Sequence, residues 1–383
     1  MEFALTSDQE LIRESARMFC EGEIAPYARD WDRSETIDRE IVGKLAEAGY
    51  LGAVLPEEYG GAGLDTVSYA LIAEELGRAD SNVRGIVSVS VGLVGKTVLR
   101  WGTEEQKREW LPRLCAGEAL GCYALTEPGS GSDPASLATR AEQDGSDWVI
   151  SGSKIFITLG TWAAFALVFA RTGAEGARGI TCFVVPTESS GFSAHPVKGK
   201  LGLRAQDTAE LFLESVRVPD SARLGEEGEG FKVAMSALDN GRISLAAGCV
   251  GICQGCLDAS VQYSRERTQF GRSIASFQLV QELIADIHVD TEAARLLTLR
   301  AAALSDAKKP HTLESSVAKY FASEAAVRAA NAAVQVHGGY GYVDEYPVGK
   351  YLRDARVTTL YEGTSQIQKL IIGRSLTGES AFV

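Results

Sequence analysis

The stretch Tyr123-Ala124-Leu125-Thr126-Glu127-Pro128-Gly129-Ser130-Gly131-Ser132-Asp133 separates two kinds of sequence pattern. Before it, from residue 6 to about residue 117, apolar residues recur at the spacing of amphipathic helices. From residue 121, just before this stretch begins, to about residue 230, short apolar or alternating runs end at turn residues or prolines, which is typical of strands. The chain is therefore expected to change from helices to strands at this stretch.

The remaining third of the chain is helical again. Long apolar-striped helices are predicted over 243–264, 277–305 and 315–337. Within the β region, Asp144-Gly145 predicts a hairpin, and Ser151-Gly152 predicts a turn between two short strands. This order favours an α+β fold over an alternating βαβ or Rossmann fold. The predicted domains are 1–120 (helical), 121–230 (a β-barrel or sandwich) and 231–383 (a helical bundle).

Composition excludes several classes of function. The 383 residues carry 38 basic and 51 acidic side chains, a net charge of −13, which argues against nucleic-acid binding. The longest apolar candidate, 162–170, is far short of the ~20 residues of a membrane span, so none is expected. No secretory signal is visible. Seven cysteines are too sparse for a disulfide scaffold, and reduced thiols in a cytoplasmic protein are expected.

Two motifs imitate ligand sites. Cys249, Cys253 and Cys256 have a spacing known from iron–sulfur proteins, but they fall in a predicted buried helix, where cysteine behaves as a small apolar residue. The stretch 92–97 resembles a phosphate-binding loop, but Ser90 stands where its first glycine should be. Because the four histidines are also scattered, no metal site is predicted.

Five segments carry residue types suited to chemistry, and each also has an ordinary structural interpretation. The glycines of 123–133 allow close approach of backbone N–H groups to a ligand, or form a capped surface turn. In 154–158 an aromatic and a hydroxyl alternate at the end of a strand, and the ordinary interpretation is a half-buried strand. A basic break, 265–272, joins two long helices. The remaining two segments are the glycine-rich 335–342 with the charged 351–356, and 361–368, in which Glu362 precedes a helix.

Taken together, the segments resemble the acyl-CoA dehydrogenase family over essentially the whole chain. The motifs that look like family hallmarks are VLPEEYGGAG (54–63), LTEPGSGSD (125–133), GGYGYVDEY with KYLRDAR (338–356) and YEGTSQIQ (361–368). The resemblance implies an α-helical N-terminal domain, a middle β domain and a C-terminal four-helix bundle. It also implies a homotetramer built as two dimers, with FAD held partly across a subunit contact.

The resemblance also implies which residues hold FAD. Those expected at the flavin ring and phosphates are Tyr123, Leu125, Thr126, Gly131, Ser132, Phe156, Ile157 and Thr158. Phe156 stands where many members have tryptophan. Phenylalanine keeps a flat aromatic ring at this position but lacks the indole N–H donor. Those expected at the adenosine diphosphate of the neighbouring subunit's FAD are Arg267, Phe270, Gln278, Gln335, Gly338 and Gly339. Thr364 and Gln366 are expected to hold FAD near the base.

The implied reaction is α,β-dehydrogenation of an acyl thioester in fatty acid metabolism. Glu362 is implied as the base that takes the α proton, and electron-transferring flavoprotein as the acceptor. Some members place the base at the position of Gly241, where this chain has no side chain that could serve. The acyl-CoA path is implied to include Ser132, Asp239, Arg242, Gly363 and Arg374.

The substrate is less sharply specified. The stretches LDNGRI (238–243) and AKYFASEAA (318–326) resemble the short-chain branch, whereas Arg84 matches a carboxylate-binding arginine of glutaryl-CoA dehydrogenases. Arg84 is otherwise a surface residue near the start of a helix. An acyl-carrier-protein thioester is a further possibility. Other classes to distinguish are a flavin oxidase, which air would reoxidise rapidly, and a non-catalytic interaction protein, which would bind no flavin.

Overall fold

The computed structural model describes residues 4–381. Its α-helices are α1 Ser7–Glu23, α2 Ala28–Ser34, α3 Glu40–Glu47, α4 Thr66–Ala79, α5 Ser81–Val87, α6 Lys96–Trp101, α7 Glu104–Cys115, α8 Gly230–Glu266, α9 Gln278–Asp306, α10 Thr312–His337, α11 Val348–Thr358 and α12 Ser365–Thr377. Its strands are β1 Gly121–Ala124, β2 Arg140–Asp144, β3 Asp147–Thr158, β4 Phe165–Arg171, β5 Ile180–Pro186, β6 Phe192–Pro196, β7 Thr208–Pro219, β8 Arg223–Leu224, β9 Thr268–Gln269 and β10 Arg272–Ser273. The predicted order of helices, strands and helices is confirmed.

The middle of the chain forms one eight-stranded sheet, in the order β6-β7-β3-β2-β4-β5-β8 with β1 paired to β4. The hairpin predicted at Asp144-Gly145 joins β2 to β3. The turn predicted at Ser151-Gly152 is wrong, because β3 continues through it as a single strand. A register shift between Ile150 and Gly152 takes up the irregularity while β7 stays paired on both sides of it.

The sequence pattern also predicts a helix over about 87–101, and the structure starts it earlier. Asp80 caps α5 by accepting a hydrogen bond from the backbone of Asn82, and α5 runs without a break into a π-helical segment, Ser88–Gly95, and then α6. This segment faces the sheet and α8, and π-helical turns are frequent at functional sites. The phosphate-loop resemblance at 92–97 therefore falls inside a helix.

Two helices are long and apolar enough to span a membrane by length and composition alone, contrary to the expectation that none would be. They are the continuous helix 81–101, of 21 residues, and α8, of 37 residues. Their most apolar windows are 89% and 78% buried inside the protein. Buried core helices pass the same test, so this is weak evidence for a membrane span.

The hydrophobic cores do not follow the predicted domain limits. One cluster joins the N-terminal helices to the sheet, through residues such as Leu45, Ile72 and Val168. Another joins α4 to α8, α9 and α10, and α4 and α8 cross where Gly77 and Gly248 leave no room for a β-carbon. The boundaries at residues 120 and 230 stay a prediction. The cavity described next lies where these three regions meet.

Candidate active site

A cavity of about 1030 Å³ opens where the sheet, the C-terminal helices and the helix 81–101 come together. Thirteen of the predicted site residues line it: Tyr123, Leu125, Thr126, Gly131, Ser132, Phe156, Ile157, Thr158, Asp239, Arg242, Glu362, Gly363 and Arg374. These residues come from sequence segments more than 200 positions apart, and their convergence is the main feature of the site.

Glu362 lies on the loop between α11 and α12, in a backbone conformation rarely used by residues with a side chain. Its φ is 54° and that of Gly363 is 86°, so two consecutive residues are left-handed. The amide of Gln368 donates to the carbonyls of both residues, at 3.1 and 3.0 Å. Thr364 then caps α12 by accepting from the backbone of Ile367 at 3.2 Å. The turn is thereby held in the one conformation that directs the Glu362 carboxylate into the cavity wall.

The Glu362 side chain is partly buried, and its Oε2 is fully enclosed without a hydrogen-bond partner among the described residues. Burial raises its pKa above the ordinary value, and the positive charges of Arg84, Lys319 and Arg242 work in the opposite direction. A buried carboxylate with a free oxygen and a raised pKa is suited to accept a proton from a bound molecule.

Arg84 lies on the buried wall of the cavity, and the interpretation as a surface arginine is wrong. Its side chain is 3% exposed and passes through the space that Gly248 leaves open. The guanidinium donates to Tyr361 Oη at 2.8 Å and to Ser88 Oγ at 3.2 Å. It forms no ion pair with a carboxylate of residues 4–381, although burial of a charge normally requires a partner.

Arg242 is a second buried cation of the cavity. Its Nη1 donates to Asp239 Oδ1 at 2.6 Å, and its Nε has no partner among the described residues. Asp239 is itself held by the hydroxyl of Thr312, at 2.8 Å. The pair joins α8 to the start of α10 beside Glu362.

The sheet contributes an aromatic and a hydroxyl at the end of β3. Phe156 is 64% exposed with a φ of 59°, and its ring lines the cavity. Thr158 accepts a hydrogen bond from the amide of Gln206 at 3.1 Å, while the buried Gln206 Oε1 has no partner in the described part of the chain. Tyr123 directs its hydroxyl away from this edge, to the carbonyl of Ala234 at 3.2 Å. The edge thus presents a flat ring and an orphaned amide oxygen.

A buried ion pair that the sequence analysis missed holds this edge together. Lys154 is fully buried on β3, and its ammonium donates to Glu127 Oε1 at 2.8 Å and to the carbonyls of Phe169 and Leu125 at 2.7 and 3.2 Å. Glu127 also accepts from the backbone of Ala138 and Thr139. The alternation of β3 places Lys154 on the buried face, and that was the available signal.

Eight of the predicted residues do not line the cavity. Thr364 caps α12 and Gln366 points to solvent. The six expected at a neighbour's adenosine diphosphate form a separate exposed group: Arg267, Phe270, Gln278, Gln335, Gly338 and Gly339. Within this group the hairpin β9–β10 carries Phe270, which is 93% exposed, and Arg267 lies over the ring of Tyr340.

Comparison with known proteins agrees with this site. The chain matches the acyl-CoA dehydrogenase N-terminal domain over residues 6–118, the middle domain over 122–216 and the C-terminal domain over 228–377. It belongs to the acyl-CoA dehydrogenase family. The short-chain-specific acyl-CoA dehydrogenase of Clostridium acetobutylicum is 42% identical over 97% of this chain and 98% of that protein.

Three solved structures are closely similar. Butyryl-CoA dehydrogenase from Megasphaera elsdenii is 39% identical with a TM-score of 0.96, covering 98% of this chain and 100% of that one. Glutaryl-CoA dehydrogenase from Mycobacterium smegmatis in complex with FADH2 is 37% identical with a TM-score of 0.95, covering 99% and 97%. A chain from the structure of the electron transferring flavoprotein of Acidaminococcus fermentans is 42% identical with a TM-score of 0.97, covering 99% and 100%.

This acyl-CoA dehydrogenase is an FAD-dependent oxidoreductase, as the family and its relatives show. The cavity fits a flavin. The exposed ring of Phe156 offers a surface for stacking, and the buried, unpaired Gln206 Oε1 offers an acceptor beside it. The three buried cysteines at 249, 253 and 256 lie within α8, and no group of three or more metal-binding side chains occurs among residues 4–381.

Proposed function

We propose that Glu362 is the base that removes the α proton of a short-chain acyl-CoA, giving the trans-2-enoyl thioester. The observation that supports this most strongly is the position of its carboxylate. It lies in the wall of the cavity, partly buried, with Oε2 enclosed and unpaired among the described residues, and within the field of Arg84, Lys319 and Arg242. No other carboxylate lining the cavity is buried without a cationic partner, because Asp239 pairs with Arg242 and Asp133 is exposed.

The chain's own groups account for the proton transfer. As the α proton moves to Glu362, negative charge develops on the thioester oxygen. The backbone N–H of Glu362 makes no hydrogen bond within residues 4–381, so it is available as a donor to that oxygen. FAD, when bound, accepts the hydride that leaves the β carbon. The proton remains on the Glu362 carboxyl group until it is released to solvent.

We assign FAD to the part of the cavity wall formed by the end of β3. Thr126 and Thr158 would hydrogen-bond the flavin ring, with Phe156 stacked against it and Tyr123, Leu125 and Ile157 around it. Gly131 and Ser132 lie on the exposed side of the cavity, where backbone N–H groups can approach phosphate oxygens. The buried pair Lys154–Glu127 fixes the two segments relative to each other.

The acyl-CoA path is proposed to run past Ser132, Asp239, Arg242, Gly363 and Arg374. Arg374 is exposed at the cavity mouth, and Arg242 is buried beside the base. An acidic protein needs local cations to bind a polyanionic coenzyme, and these two arginines supply them.

A dicarboxylyl-CoA is the second candidate substrate, and Arg84 is the observation that favours it. The buried wall of the cavity contains this guanidinium with only hydroxyl partners. A purely hydrocarbon chain end would meet a buried cation there, whereas a terminal carboxylate would neutralise it. A thioester of an acyl carrier protein would present the same acyl group to the same wall.

The assembly, acceptor and location are also proposals. A homotetramer is supported by apolar side chains left exposed on α9, namely Leu279, Val289 and Leu296, and by the exposed group around Arg267. Electron-transferring flavoprotein is proposed as the acceptor, because the resemblance to the acyl-CoA dehydrogenase family implies it. A cytoplasmic location is consistent with seven unpaired cysteines.

Anaerobic titration of the purified flavoprotein tests the proposal. Butyryl-CoA should bleach the flavin absorbance, and slow reoxidation by air would argue against an oxidase. Glutaryl-CoA in the same assay tests the second candidate. Absence of bleaching by every short-chain and dicarboxylyl-CoA would contradict the proposed substrate class.

A further inference from the structure

A fully buried lysine lies directly beneath the loop that carries Glu362. Lys319 is 0% exposed on α10, in a helix whose other buried residues are mostly alanines. Its ammonium donates to the carbonyl oxygen of Gly363 at 2.8 Å. Burying an ammonium with one neutral acceptor is costly, so its placement calls for an explanation.

The loop is attached to α10 at two points. Besides the bond from Lys319 to Gly363, the hydroxyl of Ser365 donates to Glu324 Oε1 at 2.6 Å. The Gly363 carbonyl accepts a second bond from Gln368 of α12. Because Glu362 and Gly363 are both left-handed, these bonds oppose relaxation of the turn into a more common conformation.

Lys319 makes no ion pair with any carboxylate in the described part of the chain. Two carboxylates act on the charge of Lys319, those of Glu362 and Glu324, and Glu362 lies one residue before the carbonyl that Lys319 holds. A buried cation without an ion pair is therefore hydrogen-bonded to the residue next to Glu362, whose Oε2 is buried without a partner among the described residues.

We propose that Lys319 is a positioning residue for Glu362, holding the left-handed turn through Gly363 and favouring the carboxylate form that accepts the substrate proton. This inference rests on the proposed role of Glu362 as the base. Lys319 does not line the cavity, so it acts through the loop and through its charge.

The electrostatics of the surrounding groups support this. Burial raises the pKa of Glu362, and Arg84, Lys319 and Arg242 lower it in that order of effect. Burial lowers the pKa of Lys319 itself to about 8. The titratable or charged groups facing the pair from packed elements are Tyr69, Arg84, Tyr123, Arg242, Cys249, Glu324 and Tyr361. Since Lys319 is one of only three cations acting on Glu362, its removal should weaken the ionised form.

The experiment is the rate of flavin reduction in single turnover, measured against pH with the FAD-loaded protein. In Lys319→Met the acid limb should move to higher pH by roughly one unit, because an opposing charge is lost. The maximal rate should fall about 10- to 100-fold because the Glu362 carboxylate is no longer held in the orientation needed for proton transfer. Lys319→Arg keeps the charge and should leave the acid limb near its original position.

Gln368→Leu is the matched control, because it loosens the turn without removing a charge. It removes a donor to the same carbonyl, and it should lower the rate without moving the acid limb. An unmoved acid limb in flavin-loaded Lys319→Met would overturn the inference. Lys319→Gln is the second neutral variant with the same criterion. Failure of both neutral variants to load FAD, while Lys319→Arg loads it, would also count against the inference, since the lysine would then serve folding. Retention of turnover in Glu362→Gln would instead refute the proposed function.

Discussion

Gly241 of α8 lies directly against the carboxylate of Glu362. A β-carbon at Gly241 would overlap Oε2 of Glu362 and lie 2.8 Å from a methyl carbon of Leu93. The space that a side chain at position 241 would need is therefore filled by the carboxylate of Glu362. The glycine at position 241 thus makes room for the carboxylate of Glu362.

Gly241→Ala is expected to lower turnover by about 100-fold, because a displacement of the base by a few tenths of an ångström or more misaligns proton transfer. The flavin spectrum should be unchanged. Gly43→Ala is the control, since a β-carbon at that helical position meets nothing within 4 Å. Steady-state kcat and KM of both variants provide the measurement, and normal kcat in Gly241→Ala would contradict the placement of the carboxylate.

Glu362→Gln is expected to retain FAD and to lose turnover by about 10²- to 10⁴-fold, the usual contribution of a general base. The amide preserves the shape of the side chain but accepts no proton. Stopped-flow reduction by butyryl-CoA, beside the absorbance spectrum of the bound flavin, separates the two effects. Residual activity close to that of the wild type would show that another group takes the proton.

The pH dependence should follow from the raised pKa of Glu362. The base works only when ionised, so the reduction rate should rise with pH through a midpoint above the ordinary glutamate value of about 4.3. The neutral form is favoured in the folded state, so this group stabilises the fold at low pH and loses that contribution as pH rises through the raised pKa. A midpoint at or below the ordinary value would show that the cations outweigh burial.

Arg84→Met is expected to separate the two candidate substrates. If the substrate ends in a carboxylate, kcat/KM for glutaryl-CoA should fall by about 100-fold, since a buried charge-assisted contact is lost, while that for butyryl-CoA should change much less. Equal losses for both substrates would indicate that Arg84 acts only by holding Tyr361. Arg84→Lys, which keeps the charge without the bidentate geometry, is the intermediate variant.

Lys154→Met is expected to lower the free energy of unfolding by about 3–5 kcal/mol, because it leaves Glu127 buried and unpaired. FAD loading should fall as well, since the pair joins the segments at Leu125 and Phe156. Thermal unfolding and the ratio of flavin to protein absorbance provide the measurement. Adding Glu127→Gln should recover part of the loss, and a stable, fully loaded single variant would contradict this role.

Much of the local structure could be predicted from the sequence. The capping residue Thr6, the hairpin at Asp144-Gly145 and the helix that follows Glu362 are encoded by neighbours within a few positions. The prediction of a turn at Ser151-Gly152 was wrong because the same residues that permit a turn also permit a β-bulge. Pairing with β7, about 60 residues later, decided between the two.

The site divides in the same way. From residue types alone its motifs indicated the family, and they predicted Glu362 as the base and the end of β3 as facing the flavin, because those residues lie in short contiguous runs. Only the tertiary structure showed that the charges of Arg84, Arg242 and Lys319 act on the Glu362 carboxyl group, and that Lys154 pairs with Glu127 beneath the cavity wall at β3. Whether a charged residue on a helix or strand is buried depends on which face packs against distant elements, and that packing creates the desolvation and the field on which the chemistry of Glu362 depends.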